Sequence, residues 1–154
     1  MNNCEAAKIE LWDSIKNSEE LKLFVLSRPN SLIYHQPNYI DFIADLCDAK
    51  HQHIVCKNEK ENIVGFMPLL YLEGSHGNIW NSLPFFGSHG GPLGDTNVEQ
   101  LLLDAYEKLI GDDIDCAAST VIENIDSNIT LKNSLHHDHR ISQITTLENF
   151  SEYA

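Results

Sequence analysis

Between Asn81 and Asp95 the chain reads Asn-Ser-Leu-Pro-Phe-Phe-Gly-Ser-His-Gly-Gly-Pro-Leu-Gly-Asp. This stretch constrains the fold more than any other. It follows an apolar strand pattern over 78–83 and precedes a helical pattern that starts at Thr96. Four glycines, at 87, 90, 91 and 94, interrupt both periodicities. A strand, a Gly-rich loop and a helix in that order form an arrangement that binds anions and acyl donors, because backbone N–H groups and a helix start point at the same place.

The rest of the chain is read outward from that loop. Asn17-Ser18-Glu19-Glu20 predicts a helix start, with carboxylates in the first turn where the helix dipole favours them. Leu21, Phe24 and Val25 continue it to Arg28-Pro29. Leu32 to His35 is expected to be short and extended. Pro37 then suits the first turn of a second helix. Its apolar stripe is predicted to hold Ile40, Ile43 and Cys47, widened by Phe42 and Leu46.

His53 to Cys56 reads as a strand and Asn58 to Asn62 as a polar turn. Ile63 to Leu72 is a long apolar run broken by Pro68. Proline cannot donate to a ladder, so an edge or a bulge is expected at that point of an antiparallel hairpin. Glu73 to Gly77 is a turn. Thr96-Asn97-Val98-Glu99 has the spacing of a capping box. Leu101, Leu102, Ala105, Tyr106 and Leu109 are predicted as that helix's apolar face, with Gly111 at its end. Cys116 to Val121 reads as a strand, Ser127 to Leu135 as a short helix and Ile141 to Leu147 as a last strand. Ser151 to Ala154 reads as a helix cap without a body, which suggests that something larger follows. The expected fold is α/β (α+β): a mixed, mostly antiparallel central sheet flanked by helices, in one domain over 1–154.

Charge narrows the partners. Acidic residues outnumber basic ones, 23 to 10, for a formal charge of −13. Such a surface repels phosphate backbones and anionic membranes, so direct nucleic-acid binding is not expected. No apolar run approaches the length of a membrane span, and the first residues lack the basic and apolar regions of a signal peptide. The four cysteines, at 4, 47, 56 and 116, show no metal-type spacing. Cys47, Cys56 and Cys116 are expected as reduced residues in apolar segments, which suits a cytoplasmic protein.

Three blocks of the chain resemble the FemAB-like acyltransferases of the GNAT superfamily. Ser31-Leu32-Ile33-Tyr34-His35-Gln36-Pro37-Asn38-Tyr39 is similar to the family's "fYHtpeW" segment. Asn62 to Leu69 is similar to its "ivGvlPL" strand, and Ser82 to Leu93 to its "SlPf…GGpl" segment. The order of elements also resembles a GNAT fold. The resemblance implies the N-terminal half of a two-domain protein that transfers an acyl or aminoacyl group onto an amine, in cell-wall or polysaccharide-related modification. The implied partners are a second GNAT-like half, or further copies of the chain, and a small amine-bearing acceptor. Acyl-CoA or aminoacyl-tRNA would come with the second half. No cofactor or metal is assigned to this chain.

The individual residues temper that implication. An active GNAT loop holds the donor pyrophosphate with a Q/R-x-x-G-x-G/A pattern, which Gly87 to Gly94 does not reproduce. No Arg or Lys occurs between Lys60 and Lys108, and Asp95 and Glu99 already use the positive end of the helix. The loop therefore reads as a wall near an acceptor. Tyr34, His35, Ser88, His89, Gly90 and Gly91 are the candidate substrate-binding residues, with catalytic residues unassigned. The alternative is a non-catalytic GNAT-like binding or assembly domain. His51 and His53 alternate on a strand and could share a face. His136, His137 and His139 form a His-rich tract, read as a solvated loop. Asp112 and Asp113 read as exposed charge.

Overall fold

The computed structural model describes residues 7–15, 18–82, 90–121 and 131. Among these residues seven strands and three α-helices run in the order β1 (Lys8–Trp12), α1 (Glu19–Ser27), α2 (Pro37–Cys47), β2 (Lys50–His51), β3 (His53–Lys57), β4 (Ile63–Met67), β5 (Leu70–Gly74), β6 (Gly77–Asn81), α3 (Thr96–Asp112) and β7 (Cys116–Thr120). The expected class holds: a mixed, mostly antiparallel set of strands flanked by helices. The helix expected over 127–135, the strand over 141–147, the histidines at 136–139 and the final cap lie outside the described residues.

The hairpin sets the frame. β3 pairs antiparallel with β4, and β2 pairs antiparallel with β5. Both arms break at one level, at Gln52 on one side and at Pro68-Leu69 on the other. Pro68 has no N–H to give, so the ladder must be interrupted there. The break divides the strands into β1-β3-β4 and β2-β5-β6-β7. Three pairings in the second group differ in kind. β2-β5 and β5-β6 are antiparallel, whereas β6-β7 is parallel and is connected through α3. A parallel neighbour needs a long crossover, and the 17-residue α3 supplies it.

β3 is buried along four of its five positions, so it is covered on both faces. Val55 and Phe66 face α1 and α2, in a cluster with Leu21, Phe24, Val25, Ile40 and Ile43. Ile54, Cys56 and Met67 alternate to the other face and pack with Leu102, Leu103 and Tyr106 of α3. Each such fully buried side chain contributes roughly 1.5–3 kcal/mol.

Several local expectations are corrected. β1 was not anticipated, although Lys-Ile-Glu-Leu-Trp alternates as a strand should; it pairs with β3 in register from Lys8↔Lys57 to Trp12↔His53. Ile33–His35 is a 3-10 turn, not an extended segment. Pro37 restricts only the residue before it, and Gln36 is the extended one (φ −72°, ψ 128°). In α2, Phe42 and Leu46 are exposed (59% and 61%), while Ile40, Ile43 and Ala44 are buried. In α3 the buried residues are Leu102 and Tyr106, as expected, with Leu103 in place of Leu101, and the helix runs through Gly111 to Asp112. Asp113 is not idle charge. Its carboxylate accepts hydrogen bonds from Asn78 Nδ2 (3.0 Å) and Trp80 Nε1 (2.7 Å). Those bonds hold its pKa down, with Asn78 the larger cause. Cys47, Cys56 and Cys116 are free thiols, as expected. No helix among the described residues is long and apolar enough to cross a membrane.

Candidate functional site

The Gly-rich segment leaves β6 at Ser82 and returns at Gly90 to Gly94. Its base is pinned from three sides. Ser82 N–H donates to Thr120 C=O (3.0 Å) on β7, and Gly91 N–H donates to Ser82 C=O (3.4 Å). Leu93 then exchanges two backbone hydrogen bonds with Phe66 of β4, at 2.8 and 2.9 Å. Ser82 and Gly91 are thus held side by side, and Leu93 adds an isolated antiparallel bridge to Phe66 of β4. Gly91 is buried with φ +83°, a conformation that penalises any Cβ. Gly91→Ala is expected to destabilise the chain by about 1 kcal/mol, seen as a lower urea midpoint. An unchanged midpoint would mean that the base of the segment is not held in this conformation.

The start of α3 gathers carboxylates of the chain itself. The expected capping box at Thr96 and Glu99 does not form. Asp95 is the N-cap, and its backbone C=O accepts from Val98 N–H (2.8 Å) and Glu99 N–H (2.9 Å). Its side chain turns away to Arg28 Nη1 (2.8 Å). Arg28 comes from the end of α1, 67 residues earlier in the chain, and rests over the Phe24 ring. The segment from Lys60 to Lys108 carries no Arg or Lys of its own between those two residues, and this cation arrives through tertiary structure. It is already engaged. Burial raises the Glu99 pKa, offset by a hydrogen bond from the Gly94 backbone, and Asp95 beside it raises it further. The positive end of α3 is met by carboxylates of the chain itself.

The residues singled out from sequence fall in two places. Tyr34 and His35 sit on the 3-10 turn ahead of α2. Tyr34 meets Tyr39 edge to face at 5.5 Å. His35 is buried, and its Nδ1 accepts from Leu32 N–H (3.1 Å), so that ring atom serves its own turn. Gly90 and Gly91 form the return of the Gly-rich segment. Ser88 and His89 lie outside the described residues.

A second cluster was only half legible. The break at Pro68 leaves Leu69 N–H without a ladder partner, and His53 Nδ1 accepts it at 3.1 Å. His53 is fully buried, and burial, with His51 next to it, lowers its pKa to about 3. Its remaining proton therefore sits on Nε2 and points at His51 Nδ1, 2.8 Å away. His51 in turn presents Nε2–H toward Asp41, whose Oδ1 lies 3.9 Å off. One backbone amide thus sets the tautomer of two rings in series. His51 opens on a groove of about 400 Å³ lined by Ser14, Asn38, Asp41, Phe42, Asp45 and itself. Four of these lining residues, at 38, 41, 42 and 45, recur at helical spacing on one face of α2. That spacing was the available sequence signal. It is masked by the hydrophobicity of Phe42, which reads as a core residue but is exposed. No group of three or more metal-type ligands occurs among the described residues.

No protein-family profile matches the chain, and no curated protein matches it. Among solved structures it is similar to one described as "Putative acetyl transferase from Pyrococcus furiosus", at 14% identity over 87% of this chain and 100% of that one, with a TM-score of 0.45. A similarity of that size decides neither fold nor function.

Proposed function

We propose that this chain is an N-acyltransferase-type domain of FemAB-like, GNAT-like architecture that supplies the acceptor side of an acyl or aminoacyl transfer cleft. The observation that carries the reading is the path β6, Gly-rich segment, α3, β7. A parallel strand pair flanks a loop and a helix start, which is where a GNAT-type domain works. The carboxylates of Asp95 and Glu99 at that helix start favour a wall over a grip on a pyrophosphate. In this reading Tyr34, His35, Ser88, His89, Gly90 and Gly91 are the candidate residues for acceptor binding. A second GNAT-like half, or a further copy, brings the acyl-CoA or aminoacyl-tRNA. The acceptor is a small amine in cell-wall or polysaccharide-related chemistry.

Calorimetric titration of the chain with acyl-CoA tests it. No saturable binding is expected in the micromolar range. Saturable micromolar binding would place a donor site in this chain and defeat the acceptor-side reading. A non-catalytic assembly domain is the second reading, favoured by the exposed Leu23 and Leu26 of α1 with Phe42 and Leu46 of α2. Sedimentation showing a monomer at high concentration would remove it.

A further inference from the structure

We propose that the groove between α2 and β2 is a saccharide subsite that takes one hexose-sized ring, neutral or amino. Its shape and its chemistry point the same way. A volume of about 400 Å³ lies at the small end of ligand cavities. Phe42, 59% exposed, contributes an aromatic surface to an otherwise polar groove. A sugar ring suits such a place because its C–H face is apolar while its edge carries hydroxyls. The carboxylates of Asp41 and Asp45 only accept hydrogen bonds, so the ligand must bring donors. Hydroxyl and ammonium groups both do. His51 offers the opposite polarity. Its Nε2–H, set by the chain of hydrogen bonds from Leu69 through His53, donates to a ring or hydroxyl oxygen. Asn38 can do either.

The same lining disfavours other ligands. A phosphate or carboxylate would meet Asp41 and Asp45 with no Lys or Arg among the lining residues. An apolar ligand would cover five charged or polar side chains and offer them no hydrogen bond. His53 acts here as a positioning residue, because it reaches the groove only through His51. The inference concerns binding alone and holds whether or not the domain takes part in acyl transfer.

The test is a titration of the ¹⁵N-labelled chain with D-glucose and with D-glucosamine, followed by amide correlation spectra. Saturable shifts are expected at Asn38, Asp41, Phe42, Asp45 and His51 with at least one sugar, with a Kd of roughly 1–10 mM. Tighter glucosamine binding would assign the ammonium to the carboxylates, and equal binding would assign recognition to the hydroxyls; both support the subsite. Phe42→Ala should weaken binding about fivefold, and Asp45→Asn should weaken it for glucosamine. Leu46→Ala, an equally exposed change on α2 outside the lining, should leave binding unaltered. Phe42 and Asp45 are both exposed, so their variants should keep the parent spectrum elsewhere. The proposal is overturned if neither sugar gives saturable shifts, if the shifts centre elsewhere, if ammonium chloride alone reproduces them, or if Phe42→Ala binds as the parent does.

Discussion

Gly65→Val is expected to destabilise the chain by roughly 3 kcal/mol. Gly65 lies in the middle of β4, under the first turns of α3. A Cβ there would overlap Val98 Cγ1 and come within 3.1 Å of Leu102 Cδ1 and 3.2 Å of Cys56 Cβ. The backbone of Gly65 is not left-handed, so the penalty is one of space and not of φ. Leu102 and Cys56 are fully buried, and neither can retreat without moving α3 or β3. Gly65→Ala should cost less, about 1–2 kcal/mol, and Val98→Ala added to it should recover part of the loss. Urea unfolding of the single and double variants measures both. A Gly65→Val midpoint equal to the parent's would show that α3 does not sit this close to β4. The close approach matters beyond stability, because it places the start of α3 and hence Asp95 and Glu99.

Acid should unfold the chain through His53. The buried ring has a pKa lowered to about 3 from an ordinary value of 6.5. Below pH 6.5 the unfolded chain takes up a proton that the folded chain refuses, so stability falls as pH falls. The contribution is complete above about 6.5, declines between 6.5 and 3, and amounts at most to roughly 5 kcal/mol. Glu10 acts with the same sign at lower pH. Its hydrogen bonds from Lys8 and Trp12 hold its pKa near 2, so its share is lost below about 4.5. Between pH 6.5 and 4.5 the raised Glu99 carboxyl acts with the opposite sign, so His53 is isolated by comparison with a variant that lacks only its titration. His53→Gln keeps an acceptor for Leu69 N–H and a donor for His51 but does not titrate. Its urea midpoint should be lower than the parent's at pH 7 and should change less with pH down to 4.5. Parallel curves for the two proteins would rule out His53 as the source of the acid sensitivity.

Much of the frame was readable from local chemistry. Ser18 caps α1 and accepts from Leu21 N–H (3.3 Å), as the acidic start at Glu19 and Glu20 implied. Asn58 closes the hairpin turn with hydrogen bonds from Lys60 N–H and Asn62 N–H. Pro68 marks the strand break for want of an N–H. Where reading failed, two apolar residues competed for one face. Leu103 displaced Leu101, and Ala44 displaced Phe42, because the angle at which a helix meets the sheet selects the buried stripe. Thr96 and Glu99 matched a capping pattern, but Asp95 took the cap and Arg28 took its side chain.

The sequence by itself determined the order of strands and helices from α1 to β7 except the two-residue β2, the hairpin with its break, and a Gly-rich segment whose own residues bring no cation. Each of these follows from covalent geometry or short-range hydrogen bonding: a missing proline N–H, a glycine at positive φ, a serine at a helix start. Tertiary structure alone decided the pairing of Arg28 with Asp95, the closeness of Gly65 to Val98, and the line from Leu69 N–H through His53 and His51 toward Asp41. Those contacts join residues many positions apart. Their existence depends on how the layers stack, and no local preference of a residue encodes which distant side chain will reach it.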